Sequence, residues 1–199
     1  MDHSDAEAAA AKTALRDQLL TARRRRPLSE RLEVARALRD RLLAAPELRV
    51  APTVAAYVAT PDEPGTAPLL AALREAGRRV LLPVLLPDGD LDWAPYTGET
   101  DLAPQRYGLL EPTAAPLGSA AIGGADVVVV PGLACDRRGY RLGRGGGSYD
   151  RALARVTPGT FTCLLLHDEE VLERVPVEPH DRPVRAAVTP SGVSRFRAG

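Results

Sequence analysis

The sequence of 199 residues predicts an α/β protein, with a mostly parallel sheet and helices on both faces in a Rossmann-like three-layer sandwich. Continuous apolar runs such as "ADVVVVPG" (125–132) are typical of strands that are buried on both faces. They alternate with helix-like segments, as a parallel sheet requires. The composition, 45% hydrophobic and 26% charged, is that of an ordinary globular protein. We therefore expect a single domain over residues 1–199.

Two helices are predicted before the first strand. Residues 6–22 are strong helix formers with leucines on one face, and a second helix should begin after Pro27, with Ser29 as its N-cap. The run Arg23–Arg26 between them is expected to be a solvated turn, because charge runs usually face water. Phosphate binding by this run is the alternative.

The pattern changes to strands and helices from residue 53. "TVAAYVA" (53–59) predicts a buried strand, and "APLLAALREAG" (67–77) predicts a helix that Gly77 closes. The later predictions are strands at 78–85, 125–132, 160–167 and 185–190, the last of them the final strand, a turn into a short strand at 88–96, and helices at 148–156 and 168–175.

Charge and cysteine content exclude several classes of protein. The 26 basic and 26 acidic residues balance, so no overall field attracts nucleic acid or an anionic membrane. No apolar run is long enough to cross a bilayer. Cys135, Cys163 and three scattered histidines fit neither a disulfide framework nor a zinc site. We expect a cytoplasmic protein whose partners are small molecules.

The stretch "DRRGYRLGRGGGSYDR" (136–151) follows the apolar run and predicts an anion site. Its glycines allow positive φ angles, so that successive backbone N–H groups can point into one concavity. Its arginines add forked cationic donors, and the predicted helix adds the positive end of its dipole. Ligands of parallel sheets bind at such strand ends, which favours a polyphosphate here over a mobile surface loop. The glycines are Gly139, Gly143, Gly145, Gly146 and Gly147, and the arginines are Arg137, Arg138, Arg141 and Arg144.

This stretch matches neither of the two common nucleotide motifs. It lacks the lysine of GxxxxGK[ST], and Ser148 takes the place of the last glycine in GxGxxG. Asp150 lies in the first turn of the predicted helix, where it could hold a divalent cation against phosphates. The alternative is a carboxylate that only stabilises the helix N-terminus.

Residues 131–151, "PGLACDRRGYRLGRGGGSYDR", resemble the signature of the 5-formyltetrahydrofolate cyclo-ligases, also called methenyltetrahydrofolate synthetases. Three further segments follow the order of that family: "KTALR" (12–16), "YVATPDEPGT" (57–66) and "VPVEPHD" (175–181). The resemblance extends over most of the chain. It implies a fold related to those of sugar-phosphate isomerases and CoA-transferases.

The resemblance also implies the reaction, an ATP- and Mg²⁺-dependent closure of 5-formyltetrahydrofolate to 5,10-methenyltetrahydrofolate with release of ADP and phosphate. We expect a monomer or weak homodimer. The implied catalytic residues are Arg144, Tyr149 and Lys12. The implied ATP-binding residues are Lys12, Arg16, Arg141, Leu142, Gly143, Arg144, Gly145, Gly146, Gly147, Ser148 and Tyr149. The implied folate-binding residues are Val58, Glu63, Thr66 and Tyr149, and the implied Mg²⁺ ligands are Asp150 and Asp181.

Two positions depart from the family pattern. Ser148 stands where the family usually has the first of two tyrosines, and Glu170 replaces a common glutamine. Neither is a predicted phosphate or metal position. Two other functions stay open: a phosphorylated-metabolite isomerase or transferase of related fold, and a non-catalytic protein that binds nucleotide or folate.

Overall fold

Residues 3–196, the part of the chain that this computed structural model describes, form five α-helices and twelve strands. The helices are α1 (His3–Arg24), α2 (Leu28–Ala44), α3 (Pro46–Arg49), α4 (Ala67–Glu75) and α5 (Ser148–Leu153). The strands are β1 (Thr53–Ala55), β2 (Arg79–Leu85), β3 (Leu91–Pro95), β4 (Leu102–Pro104), β5 (Leu110–Pro112), β6 (Val127–Val130), β7 (Ala134–Asp136), β8 (Arg141–Leu142), β9 (Phe161–Leu165), β10 (Val171–Leu172), β11 (Ala186–Thr189) and β12 (Gly192–Arg195).

Seven strands form the main sheet, in the order β12-β11-β9-β6-β1-β2-β3. The five inner strands are parallel, and β3 and β12 pair antiparallel at the two edges. The chain passes from β1 outward to β2 and later returns to β6 on the other side of β1. In an open α/β sheet, the crevice at such a reversal, outside the carboxyl ends of the strands, is the place where ligands bind.

Both faces of the main sheet are covered. Leu38 and Leu42 of α2 and Leu70 of α4 pack on one face. Ile122, from the 3₁₀ segment Ser119–Gly124, and Ala152 of α5 pack on the other. Successive residues of β6 alternate between these two clusters, as the pleat of a strand requires. The predicted fold class, a mostly parallel sheet with helices on both faces, is confirmed.

Helix α1 packs on the small sheet β10-β7-β8 rather than on the main one. Leu19 joins a cluster with Leu142 and other apolar residues of that sheet. Lys12, Arg16 and Arg23 are spaced by four and seven residues, so they share one helix face. Of the described helices, α1 included, none is long and apolar enough to cross a membrane.

Three element predictions need correction. Helix α2 begins at Leu28 after Pro27, which pre-sets the chain direction, so Ser29 lies inside the first turn and does not cap it. The predicted helix at 168–175 is a single 3₁₀ turn followed by β10, because pairing with β7 overrides the local helix propensity. The strand at 185–190 is not the last, since β12 follows it in a hairpin.

The prediction of a solvated arginine turn is also wrong for two of its four residues. The side chain of Arg23 is only 2% exposed and pairs with the equally buried Glu170. Arg26 is partly buried and forms ion pairs with Glu30 and Glu169. The partners lie far along the chain in two of these pairs, so a local charge pattern could not indicate them.

Gly139 lies in the turn between β7 and β8, where its packing can be tested. Gly159, which lies just before β9, also has a positive φ and is the matched control. Gly139 has φ +87°, and a Cβ there would lie 2.3 Å from the carbonyl oxygen of Val184. Gly159 has φ +98° but open space around it. We expect Gly159→Ala to lower the free energy of unfolding by about 1 kcal/mol through backbone strain alone. Gly139→Ala should cost at least about 2 kcal/mol more, because the clash is with backbone. Denaturant unfolding measures both, and equal losses would contradict the steric explanation.

His167 makes the stability depend on pH. It is buried after β9, and burial followed by the nearby Arg26 and Arg23 lowers its pKa to about 4. The unfolded chain, with a histidine pKa of about 6.5, therefore binds a proton before the folded protein does. The contribution of His167 to the free energy of unfolding is therefore complete above about pH 6.5. It falls by up to about 3 kcal/mol as the pH drops toward 4. Unfolding of His167→Asn across this range should lack that component; an unchanged pH profile would disprove it.

Candidate active site

The predicted ATP and folate segments follow the two strands at the reversal point of the sheet. Residues 56–66 come directly after β1, and the hairpin β7–β8 with the glycine loop 143–147 comes after β6. Strands β1 and β6 are paired in parallel, so both segments leave from the same edge. Helix α1 supplies a third side, since Arg16 Nε donates to the carbonyl oxygen of Gly143 at 2.8 Å.

Lys12 lies between two carboxylates of the segment 175–181. Its Nζ is 2.5 Å from Glu178 Oε2 and 2.7 Å from Asp181 Oδ2, and the residue is only 3% exposed. A predicted ATP-binding cation and a predicted Mg²⁺ ligand are thus brought together. Each neutralises the other in this structure.

Asp150, the other predicted Mg²⁺ ligand, is also paired with a predicted ATP-binding cation. Arg141 Nη2 lies 2.9 Å from Asp150 Oδ1, which also accepts the backbone N–H of Arg182 at 3.2 Å. Asp150 is therefore in contact with Arg182, the residue that follows Asp181. The Nε of Arg141 is buried and has no hydrogen-bond partner within the described residues.

Arg144 and Glu63 join the two predicted half-sites. Arg144 Nε lies 3.4 Å from Glu63 Oε1, and its Nη2 donates to the Thr60 hydroxyl at 3.0 Å. The other carboxylate oxygen of Glu63 accepts the Thr60 N–H at 2.8 Å. The arginine is 43% exposed and the glutamate only 8%. A predicted nucleotide residue thus contacts a predicted folate residue.

The other two predicted folate residues on this loop have different environments. The buried Thr66 accepts the Ala59 N–H at 2.9 Å through its hydroxyl, which closes the loop on itself. Val58 is partly buried and packs against the core cluster beneath the loop. Thr66 thus stabilises the loop through a hydrogen bond, and Val58 packs its apolar side chain against the core.

Two tyrosines lie near Glu63. Burial, followed by Glu63, raises the pKa of Tyr149, against the lowering effect of Arg141, whose guanidinium lies 5.9 Å from the ring centre. Sequence reasoning missed Tyr57, which is buried and whose hydroxyl has no partner in the described structure. Its pKa is also raised, chiefly by burial and then by Glu63 and Tyr149. Both phenols stay protonated at neutral pH, so they act as hydrogen-bond donors rather than bases.

The side chains of Ser148 and Leu142, two predicted ATP-binding residues, make contacts within the protein. The Ser148 hydroxyl donates to the carbonyl oxygen of Gly89 at 2.5 Å, which fastens the start of α5 to the turn before β3. Leu142 is buried in the cluster under α1, so only its backbone can reach a nucleotide. The glycines Gly145, Gly146 and Gly147 complete the loop, two of them with positive φ.

The groups that could hold a metal ion include two that sequence reasoning missed. Glu178, His180 and Asp181 each offer one ligand atom within 4.8 Å of the others. Asp150 is outside this cluster. Carboxylate oxygens are the ligands that Mg²⁺ prefers, so Glu178 fits such a site alongside Asp181. The signal was present in "VPVEPHD", which contains all three residues of the cluster.

Comparison with known proteins identifies the family to which the chain belongs. A profile of the family described as "5-formyltetrahydrofolate cyclo-ligase family" matches residues 8–190. The 5-formyltetrahydrofolate cyclo-ligase of Mycolicibacterium smegmatis is 42% identical over 185 residues, which cover 90% of this chain and 93% of the relative. That of Escherichia coli K12 is 35% identical over 179 residues, covering 85% and 96%.

Solved structures agree in fold. The 5,10-methenyltetrahydrofolate synthetase of Aquifex aeolicus superposes with a TM-score of 0.82 at 28% identity, covering 94% of each chain. That of Mycoplasma pneumoniae gives 0.72 over 90% of this chain and 98% of its own, at 18% identity. The family and enzyme class predicted from the sequence are confirmed: the chain belongs to the 5-formyltetrahydrofolate cyclo-ligase family.

Proposed function

We propose that this protein closes 5-formyltetrahydrofolate to 5,10-methenyltetrahydrofolate while ATP is converted to ADP and phosphate with the help of Mg²⁺. The observation that carries the proposal is the contact of Arg144 with Glu63. This contact joins the glycine loop 143–147, where ATP is expected, to the loop 56–66, where folate is expected. Family membership supports the same reaction.

Four cations would bind the triphosphate: Lys12, Arg16, Arg141 and Arg144. They lie on α1, on β8 and in the glycine loop, and the backbone N–H groups of 143–147 would add neutral donors. Phosphoryl transfer requires mainly positioning and charge neutralisation from a protein, and this donor set provides both.

Asp150, Asp181 and Glu178 would hold Mg²⁺. When bound, the ion neutralises charge on the phosphates. In the free protein, Lys12 and Arg141 neutralise these carboxylates. Nucleotide and metal would together replace those pairs, because phosphates take the two cations and the metal takes the carboxylates. Binding of either one alone would leave uncompensated charge.

Glu63 would accept N–H donors of the pteridine ring, and Tyr149 would donate a hydrogen bond or stack on a substrate. The reaction begins with transfer of the γ-phosphoryl group to the formyl oxygen, which turns a poor leaving group into phosphate. N10 of the folate then attacks the formyl carbon, the C–O bond breaks, and the N10 proton is lost. Arg144 belongs to the glycine loop and contacts Glu63 and Thr60, which supports a role for it in stabilising charge during the first step.

We further infer a single-domain cytoplasmic protein that acts on small molecules as a monomer or weak homodimer. Cys135 and Cys163 are free thiols in the core, which suits a reducing compartment. The balanced charge argues against nucleic-acid and membrane partners.

The reaction is tested by incubating the protein with (6S)-5-formyltetrahydrofolate, ATP and Mg²⁺ and following the near-ultraviolet absorbance of the product. Asp150→Asn should reduce turnover by at least about a hundredfold, because it removes a metal ligand and unpairs Arg141. The exposed Asp40→Asn on α2 is the control and should keep full activity. A folded wild-type protein without any absorbance rise would refute the function; full activity of Asp150→Asn would refute only the metal assignment.

Glu63→Gln tests the folate side separately. Loss of a charged hydrogen-bond acceptor should raise KM for 5-formyltetrahydrofolate by about ten- to a hundredfold. The dissociation constant for ATP, measured by calorimetry with Mg²⁺, should change far less. Glu75→Gln, an exposed change on α4, should leave both constants as they are. An unchanged folate KM in the Glu63 variant would remove this residue from the folate site.

A further inference from the structure

A buried arginine links three segments that meet at the site. Arg23 Nε and Nη2 bind the two carboxylate oxygens of Glu170 at 2.7 and 2.8 Å. Nη2 also donates to the Gly132 carbonyl oxygen at 2.8 Å, and Nη1 donates to the Asp62 carbonyl oxygen at 3.3 Å. One planar guanidinium therefore contacts four acceptor atoms on three separate segments.

Each of these segments follows one strand of the parallel core. Asp62 lies on the loop after β1, Gly132 comes directly after β6, and Glu170 lies on the turn after β9. These three strands are neighbours in the sheet, and their carboxyl ends share one edge. Arg23, from α1, thus ties together the loops that line the reversal point.

The contacts at Asp62 and Gly132 lie next to the residues of the two half-sites. Asp62 immediately precedes Glu63, whose carboxylate faces Arg144. Gly132 precedes Leu133, whose N–H donates to the Leu142 carbonyl oxygen at the base of the glycine loop. Movement of the guanidinium would therefore shift the folate loop (residues 56–66) relative to the root of the glycine loop, meaning the end of β8 from which residues 143–147 begin.

Glu170 fixes the arginine in this place. Its Oε2 also accepts the His167 N–H at 2.8 Å, so the carboxylate is held by the end of β9 as well as by Arg23. Both side chains are almost fully buried, with exposed fractions of 2% and 3%. A buried ion pair contributes little net stability compared with apolar residues of similar size, so stability alone does not account for it.

We propose that Arg23 and Glu170 are a positioning pair that sets the folate loop against the root of the glycine loop; the kinetic part of this proposal rests on the proposed function. The pair touches neither substrate. It acts through the Asp62 and Gly132 carbonyl groups, and a misplacement of about 1 Å in such a site can cost as much as a hundredfold in rate.

Two variants separate positioning from stability. Arg23→Met/Glu170→Leu replaces the ion pair with apolar side chains, and the protein should stay folded at the assay temperature. Its unfolding temperature, measured in parallel, shows the cost of unpairing the Gly132 carbonyl and the His167 N–H. Arg23→Lys keeps the charge opposite Glu170, but one ammonium group cannot span the same acceptors. We expect both variants to raise KM for 5-formyltetrahydrofolate by at least about tenfold, while the dissociation constant for MgATP changes less than about threefold.

A second measurement does not need turnover. Hydrogen–deuterium exchange should be faster at the amides of Ala59, Thr60 and Glu63 in both variants, because the loop loses its anchor at Asp62. The matched control is Arg195→Met/Glu47→Leu, which removes another two-pronged pair, with distances of 2.8 Å, between β12 and α3. It should change neither the exchange of these amides nor the folate KM.

The outcomes are distinct. A wild-type protein without turnover, but with faster loop exchange in both variants, would refute the proposed function and leave the anchoring supported. Turnover in the wild type with folate KM within about twofold in Arg23→Lys and in the double variant would overturn the positioning role. Unchanged loop exchange in both variants would overturn it as well.

Discussion

The order of the parallel strands is the constraint on which the rest of this structure depends. Because the chain extends from β1 to β2 and then returns to β6 beside β1, the loops after β1 and β6 leave the sheet at adjacent strand ends, the place where open α/β sheets form a ligand crevice. One loop carries Glu63 and the other leads to Arg144, which is why residues 81 positions apart in sequence lie in contact. Helix α1 closes the crevice from the side with Lys12, Arg16 and Arg23.

Charge pairing is the second organising feature, and it follows from burial. Several of the cations and carboxylates that would serve ATP and Mg²⁺, among them Lys12, Arg141 and Asp181, are held away from water, where a lone charge is costly. They therefore pair with one another in the free protein, as Lys12 does with Asp181 and Arg141 with Asp150. The same contacts keep the groups in place for a charged substrate that can replace each partner.

Sequence and structure agree best where a local pattern carries the information. The apolar strands, the helix closed by Gly77 and the loop 143–147 each had a signal within about ten residues, and the family motifs linked distant segments in the right order. Disagreement arose where a partner lay far away. Arg23 was expected in water because nothing near it in sequence indicated Glu170, 147 residues on. Residues 168–175 were expected to form a helix because the pairing of β10 with β7 is not encoded locally.

By itself, the sequence determined the fold class, the family and the residue types that could serve ATP, folate and a metal ion, because periodicity and motif spacing are local properties. Only the tertiary structure decided which of those residues touch. It paired Arg144 with Glu63, placed Glu178 beside Asp181, and brought Tyr57 near Tyr149. It also buried Arg23 where three strand ends meet. The physical reason is that side-chain contacts depend on strand order and on burial, and both are set by the packing of the whole chain.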